Sequence, residues 1–455
     1  LSGAILRLQK TGKQDGSTVR IPRAQTFIFG LAALAVLLAV GYVVSRPRGP
    51  VLVEADVSLD RITPNADGQE DVTRISYRLR RQANVSIYFE GEDGTRYYYR
   101  QNEPRVRGEY EVLFSGVVDG FTLEGEEVSG EVLRRLLPDG EYRWVVEATD
   151  VLTGRVDRIE GTLVITDSDS ILPDLWDFTV SPEVFTPNQD GIDDQIWINV
   201  YVPKEADLTV YLIDDAGTRY YVPESQQDRA PGKGGRHIFQ WDGGVDMGKD
   251  PPPDGTYTVL VEAKDAEGQM VRHKSEVTIR FGGVPLAEIV GQPVGDTVRF
   301  SSETVLQGDV LTFELTVENY GDSPIRTTGP EPGFIYEQDE TYATSGYQVE
   351  SGAWRVGIHC DTCTVDFPWR WALGSQENLT PIESGGQTHY YLMPGERAVV
   401  TGGIRLTNIV EARNPQEFWA GLIHEDVGVA TVNQRVDPHW IRIEPVESEA
   451  AESTP

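Results

Sequence analysis

The chain has 455 residues, too many for one hydrophobic core and enough for about three domains of ordinary size. Its 46 glycines and 27 prolines beside 39% hydrophobic residues exclude collagen, which needs a strict glycine period, and a disordered chain, which is poor in β-branched and aromatic side chains. The formal net charge of −32 becomes −38 over residues 51–455, with 33 Lys+Arg against 71 Asp+Glu, which argues against nucleic acid as a partner and favours cations and basic partners.

Residues 1–26 hold five basic side chains (Arg7, Lys10, Lys13, Arg20, Arg23) and one acid, Asp15. Residues 27–44, FIFGLAALAVLLAVGYVV, then run without a charge, about 27 Å as a helix against a hydrocarbon core of roughly 30 Å. The expectation is a basic cytoplasmic tail (1–26) and a single transmembrane helix (27–45) lodged in the lipid bilayer. Only Arg46 and Arg48 follow the run, so the basic flank stays in the cytoplasm and the rest of the chain is extracytoplasmic. Tyr42 suits the head-group level. A signal peptide is the competing reading, with an apolar run of about 7–15 residues and a small-x-small cleavage site, where this chain has Val43-Val44-Ser45-Arg46-Pro47-Arg48. A pilin-type leader is a further alternative, but it starts apolar at the mature N-terminus, whereas polar residues 10–17 and Pro22 come first here. The opening Leu1 fits an alternative start codon or a trimmed leader.

An internal repeat organises residues 51–282. Thr63-Pro64-Asn65-Ala66-Asp67-Gly68-Gln69-Glu70-Asp71 returns 123 positions later as Thr186-Pro187-Asn188-Gln189-Asp190-Gly191-Ile192-Asp193-Asp194, and Gly94-Thr95-Arg96-Tyr97-Tyr98 returns as Gly217-Thr218-Arg219-Tyr220-Tyr221. Pro138-Asp139-Gly140-Glu141-Tyr142 and Glu147-Ala148-Thr149-Asp150 return at a spacing of 115 as Pro253-Asp254-Gly255-Thr256-Tyr257 and Glu262-Ala263-Lys264-Asp265, so the middle loops differ in length. Between these blocks apolar and polar residues alternate, as in Ile75-Ser76-Tyr77-Arg78-Leu79, which predicts short half-buried strands separated by Asp-Gly turns. A helical period is readable only over residues 130–137. The fold class is therefore all-β, with sister sandwiches at 51–168 and 169–282.

Phe185-Thr186-Pro187-Asn188-Gln189-Asp190-Gly191, Gln240-Trp241-Asp242-Gly243 and Pro253-Asp254-Gly255-Thr256-Tyr257 together resemble the Ig-like domain of the flagellar hook-capping protein and its relatives in secreted bacterial surface proteins. The first repeat departs at Phe114-Ser115-Gly116, where the Trp-Asp-Gly turn would stand. The resemblance implies an extracytoplasmic Ig-like fold over roughly residues 51–282 and no activity. Gln307-Gly308-Asp309 through Glu318-Asn319-Tyr320-Gly321-Asp322, with Met393-Pro394-Gly395-Glu396 later, resembles bacterial surface Ig-like modules of the cell-adhesion-related kind, so residues 284–445 are expected to form a third Ig-like sandwich with a long insertion. Residues 446–455 read as a disordered acidic tail.

The third segment is rich in aromatics. Trp354, Trp369, Trp371, Trp419 and Trp440 suit either a large core or a face that stacks on sugar rings or grips a protein partner. His359-Cys360-Asp361-Thr362-Cys363 admits a zinc site, but no second Cys-x-x-Cys accompanies it, and outside the cell Cys360 and Cys363 are expected to form a small disulfide loop. Two oxygen-rich loops, Asn65/Asp67/Asp71 and Asn188/Asp190/Asp194, suit either Asx-turn geometry or Ca²⁺, although an EF-hand's twelfth-position glutamate is lacking. No other cofactor is expected. No P-loop, dinucleotide fingerprint, nucleophile elbow or His-Glu-x-x-His occurs, so the chain is not expected to be an enzyme. The functional expectation is a membrane-anchored structural or binding protein whose partners are envelope proteins or surface glycans. The alternatives are a component of a motility or pilus-like filament, and a surface hydrolase or metal enzyme with its site in the third segment.

Overall fold

The computed structural model describes residues 23–45, 49–225, 232–291 and 293–446, and within the first of these ranges the side chains of Ile28 and of residues 30–41. The expected basic tail thus lies almost wholly outside the described residues, as does the acidic tail. Helix α1 (Arg23–Ser45) carries exposed Ile28, Leu31, Leu34, Leu37 and Leu38. Among the described residues no helix is long and apolar enough to cross a membrane, and within the expected span of residues 27–44 the described side chains are those of Ile28 and residues 30–41.

The rest is β-structure. Ten strands come first: β1 (Leu52–Val57), β2 (Arg61–Ile62), β3 (Thr73–Leu79), β4 (Ala83–Glu90), β5 (Arg96–Arg105), β6 (Gly108–Phe114), β7 (Val117–Asp119), β8 (Glu131–Leu136), β9 (Gly140–Asp150) and β10 (Val156–Ile165). Eight follow: β11 (Trp176–Ser181), β12 (Val184–Phe185), β13 (Ile196–Val202), β14 (Asp207–Ile213), β15 (Arg219–Tyr221), β16 (Gly235–Trp241), β17 (Gly255–Lys264) and β18 (Met270–Ile279). Alternation decides which side chains go inward. In β3, Thr73, Ile75, Tyr77 and Leu79 are buried, and in β13 the same rhythm buries Ile196, Ile198, Val200 and Val202.

The repeat in sequence is a repeat in topology. Sheet β1-β3-β6 faces β2-β10-β9-β4-β5 across one apolar core; β11-β13-β16 faces a second sheet that runs β15-β14-β17-β18 with β12 on β18. In both, the two-residue strand lies parallel to the last long strand: β2 on β10 and β12 on β18.

One hairpin breaks this symmetry. Strands β7 and β8 belong by sequence to the first repeat, yet β8 pairs antiparallel with β18, extending the sheet of the second. The helix suggested by the period of residues 130–137 is therefore not realised. The open edge of β18 supplies backbone partners, and pairing there overrides a weak local preference. At the entry to β8, a Cβ on Gly130 would stand 2.5 Å from the Arg272 carbonyl oxygen. Gly130→Val is expected to detach the arm at a cost of about 1–3 kcal/mol, as overpacking against fixed backbone does. Hydrogen exchange would show it as lost protection at β8 and the start of β18, with β3 and β13 unchanged.

A third core is enclosed by strands β19 (Ala287–Ile289), β20 (Arg299–Phe300), β21 (Thr304–Leu306), β22 (Val310–Asn319), β23 (Ile325–Thr327), β24 (Ile335–Glu337), β25 (Trp354–Cys360), β26 (Trp369–Ala372), β27 (Thr380–Ser384), β28 (Gln387–Leu392), β29 (Arg397–Arg405), β30 (Gln416–His424) and β31 (Val436–Glu444). One sheet runs β19-β22-β29-β24 with β20 on β22, and the other β21-β31-β30-β25-β23-β28-β27 with β26 on β25. The aromatic insertion thus adds strands to a sheet and fills the core between the two.

Candidate functional site

The repeated motifs act first as structural devices. In Pro-Asp-Gly-x-Tyr the tyrosine hydroxyl donates back to the proline carbonyl, Tyr142 to Pro138 at 2.9 Å and Tyr257 to Pro253 at 2.6 Å, and burial pushes both phenols up to about 12. The aspartate between them accepts the two backbone N–H groups that leave the last strand: Asp139 from Asp167 and Ser168, Asp254 from Phe281 and Gly282. The aspartate closing Glu-Ala-x-Asp pairs with a cation 123 positions apart in the two copies, Asp150 with Arg81 and Asp265 with Lys204.

Lys204 also reaches Asp169 at 2.9 Å. Beside it, buried Gln269 donates to the carbonyls of Asp169 and Ile171 where the second segment begins, and accepts from Leu136 N–H in β8 of the first repeat.

The two oxygen-rich loops fold alike and end differently. In the first, Asp71 accepts from the N–H groups of Asn65, Ala66 and Gly68, and Asn65 accepts from Asp67 N–H, with residues 66–70 exposed and Asn65 and Asp71 half-buried. In the second, Asp194 accepts from Asn188, Asp190 and Gly191, and Asn188 from Asp190 N–H, but this loop is buried under the third core's strands. Both carboxylates are thus engaged by backbone amides of their own loop. Asn188 and Asp194 also line, with Asp242, Asp246 and Asp426, a cavity of about 200 Å³. Among the described residues, the three-group cluster with ligand atoms within 4.8 Å lies elsewhere, at Asp296, Asp437 and His439.

The burial of the second loop creates a joint. Arg326 in β23 donates through Nε to the Asp190 carbonyl at 2.7 Å, through Nη2 to the Ser351 carbonyl at 2.6 Å, and through Nη1 to Glu350 at 3.0 Å. The Tyr391 hydroxyl in β28 donates to Asp190 Oδ2 at 2.8 Å, and His424 Nε2, at the end of β30, meets the Gln189 carbonyl at 2.8 Å. Backbone meets backbone at Gly191 and Gly352: a Cβ on either would lie 2.1 Å from an atom of the other segment. Burial raises the Asp190 carboxyl, and with the adjacent Asp190 charge it pushes Asp194 up to about 7. Burial pulls the His424 imidazole down to about 4. Behind the joint, Glu425 is buried between Arg355 and Arg370 at 2.9 and 2.8 Å, with the Tyr342 ring under both guanidiniums.

The five tryptophans divide between the two readings, core and surface. Trp354, Trp369 and Trp371 are buried: Trp371 donates to the Phe334 carbonyl and lies against Gly402, and Trp354 stacks on His424 at 4.4 Å. Wide strands in two stacked sheets need large rings to fill the space between them. Trp419 is half-buried beside His359 and Arg435, and Trp440 alone of the five is exposed, at 56%. Cys360 and Cys363 are joined in a disulfide, so neither is a thiolate.

Sequence reasoning missed Trp176, Trp197 and Tyr201, which are exposed on the three-stranded sheet of the second core, Trp176 and Tyr201 stacked at 5.8 Å. The signal was present, because Trp197 and Tyr201 share the strand face opposite Ile196, Ile198 and Val200.

No family model and no curated protein matches the chain. Solved structures with local similarity include a tetra-tandem repeat from the extending region of a large adhesion protein (13% identity, covering 81% of this chain and 80% of that one, TM-score 0.18) and a fragment of a 1.5-MDa bacterial ice-binding adhesin (11%, 88% and 100%, TM-score 0.19). A third is the native conformation of E. coli alpha-2-macroglobulin (13% identity, TM-score 0.17), where the match covers 88% of this chain and 23% of that one. At these TM-scores the likeness carries no argument about arrangement or role.

Proposed function

We propose that this chain is a membrane-anchored display protein: residues 27–44 hold it in the bilayer, and three Ig-like sandwiches stand outside the cell to bind or scaffold, without catalysis. The observation that carries the reading is the construction of the two junctions. The β7–β8 arm, paired with β18 and bonded through Leu136 N–H to Gln269, ties the first repeat to the second core, and Arg326, Tyr391 and His424 tie the second to the third. Buried, side-chain-bonded junctions keep modules in a fixed relation, which a support needs and a string of independent modules does not. The uninterrupted apolar run of 27–44, the basic flank before it, and the −38 beyond support the orientation.

Proteinase K added to intact cells is expected to remove residues beyond 49 and leave the N-terminal segment with the cell. Protection of the downstream residues on intact cells, combined with their digestion after lysis, would rule the topology out.

A further inference from the structure

A cavity of about 480 Å³ opens in the third core's larger sheet, beside the joint. We propose that it is a binding site for a short, uncharged saccharide, which gives the display function proposed above its ligand class. Its lining includes the polar residues Thr328, Glu331, Gln376, Gln387 and His389, with Tyr390 beside them. The volume lies within the roughly 300–1,000 Å³ of small-molecule sites.

The lining is chemically selective. Residues with hydroxyl, carboxylate, amide and imidazole groups line this space, and the side chains of Glu331, Gln376, Gln387 and His389 make no hydrogen bond to the described protein. Side-chain amides present a donor and an acceptor side by side, the pattern that matches adjacent hydroxyls of a sugar ring. The Tyr390 ring packs against the third core and Leu379 is only 8% exposed, so the apolar part of the lining is small and recognition rests on the polar groups.

Charge excludes the other classes. Glu350 is neutralised by Arg326 at 3.0 Å and accepts from Thr328 at 3.2 Å, leaving Glu331 as the uncompensated charge of the lining. An anionic ligand would meet that carboxylate within a chain of net charge −32. An apolar ligand would bury the amides and imidazole unpaired, at about 1–3 kcal/mol for each group.

The cavity is also held open by its frame. Strand β28 is fixed on one side to β23, with Thr327 opposite Tyr390, and on the other to β27 through the Gly385-Gly386 turn, where both glycines take positive φ. Arg326, which forms part of the wall, is locked by its three bonds in the joint. Little reordering is therefore required on binding.

The test is calorimetry on the full chain in a detergent without a sugar head group, titrated with cellobiose, chitobiose, maltose and lactose. At least one disaccharide is expected to bind, and Gln376→Ala and Gln387→Ala, both at exposed positions, are each expected to weaken it about tenfold, the loss of one to two hydrogen bonds. Trp440→Ala, at an exposed aromatic outside the cavity lining, is expected to leave affinity unchanged. Absence of binding by all four sugars at about 10 mM, a concentration that would reveal even millimolar affinity, overturns the proposal. So does binding that ignores both glutamine variants, or binding abolished by Trp440→Ala. None of these outcomes bears on the membrane topology, which the protease experiment tests separately.

Discussion

Arg326→Ala is expected to open the joint between the second and third cores while leaving both cores folded. The guanidinium makes three bonds there, to the carbonyls of Asp190 and Ser351 and to the Glu350 carboxylate, and its side chain is 7% exposed. Removing it leaves the Asp190 and Ser351 carbonyls without their donor, and leaves the Asp190 carboxylate without the positive charge that acts on it. Each carbonyl left without its donor costs about 1–3 kcal/mol, while the Glu350 partner, 47% exposed, adds little beyond a surface pair. The loss is local, because Arg326 lies at the end of the third core and not in its centre. Hydrogen exchange should therefore report deprotection of the Gly191 and Ile192 amides with no change in β13 or β22. Arg326→Lys should recover little, since one ammonium cannot hold three acceptors arranged around a planar fork. A variant whose loop amides stay protected would mean that the glycine-to-glycine contact at Gly191 and Gly352 holds the joint unaided.

Why this joint escaped sequence reading is clear from its twin. Asn65, Asp67 and Asp71 match Asn188, Asp190 and Asp194 residue for residue and form the same local bonds. The first loop stays exposed and the second is buried because Arg326, 136 positions from Asp190, packs on one and not on the other. A motif encodes its own turn, not what covers it. The same limit hid the β7–β8 arm, whose partner strand starts more than 130 residues away. It hid the split among the tryptophans too, since nothing local separates buried Trp371 from exposed Trp440. Features governed by neighbouring residues were legible. Alternation in β3 and β13 named the inward side chains, and the repeat spacing foretold the matching strand orders. The Pro-Asp-Gly-x-Tyr blocks marked the turns that Tyr142 and Tyr257 close.

The pH response of the joint should be nearly flat in the native chain and strongly sloped, in opposite directions, in two variants. Asp194 is raised from an ordinary value of 3.8 to about 7, so it binds a proton more readily in the closed joint; its contribution is full below 3.8 and is lost as pH rises toward 7. His424 is lowered from 6.5 to about 4, so the closed joint prefers it neutral; its contribution is full above 6.5 and is lost as pH falls toward 4. Between about pH 4 and 6.5 the two slopes, each about 1.4 kcal/mol per pH unit, oppose and largely cancel. Asp190, raised by burial against the pull of Tyr391 and Arg326, tips the balance slightly toward acid. His424→Gln keeps an N–H donor for the Gln189 carbonyl but removes the titration, and should make the joint more stable by on the order of 3 kcal/mol as pH falls from 7 to 4. Asp194→Asn removes the other slope and should produce the reverse, a joint that weakens on acidification below 6.5, together with a pH-independent loss of about 1–3 kcal/mol for the amide left without its acceptor. Denaturant midpoints followed by the emission of Trp354, which stacks on His424, give the comparison directly. Parallel pH profiles in the native chain and both variants would show that neither group changes its proton occupancy when the joint opens.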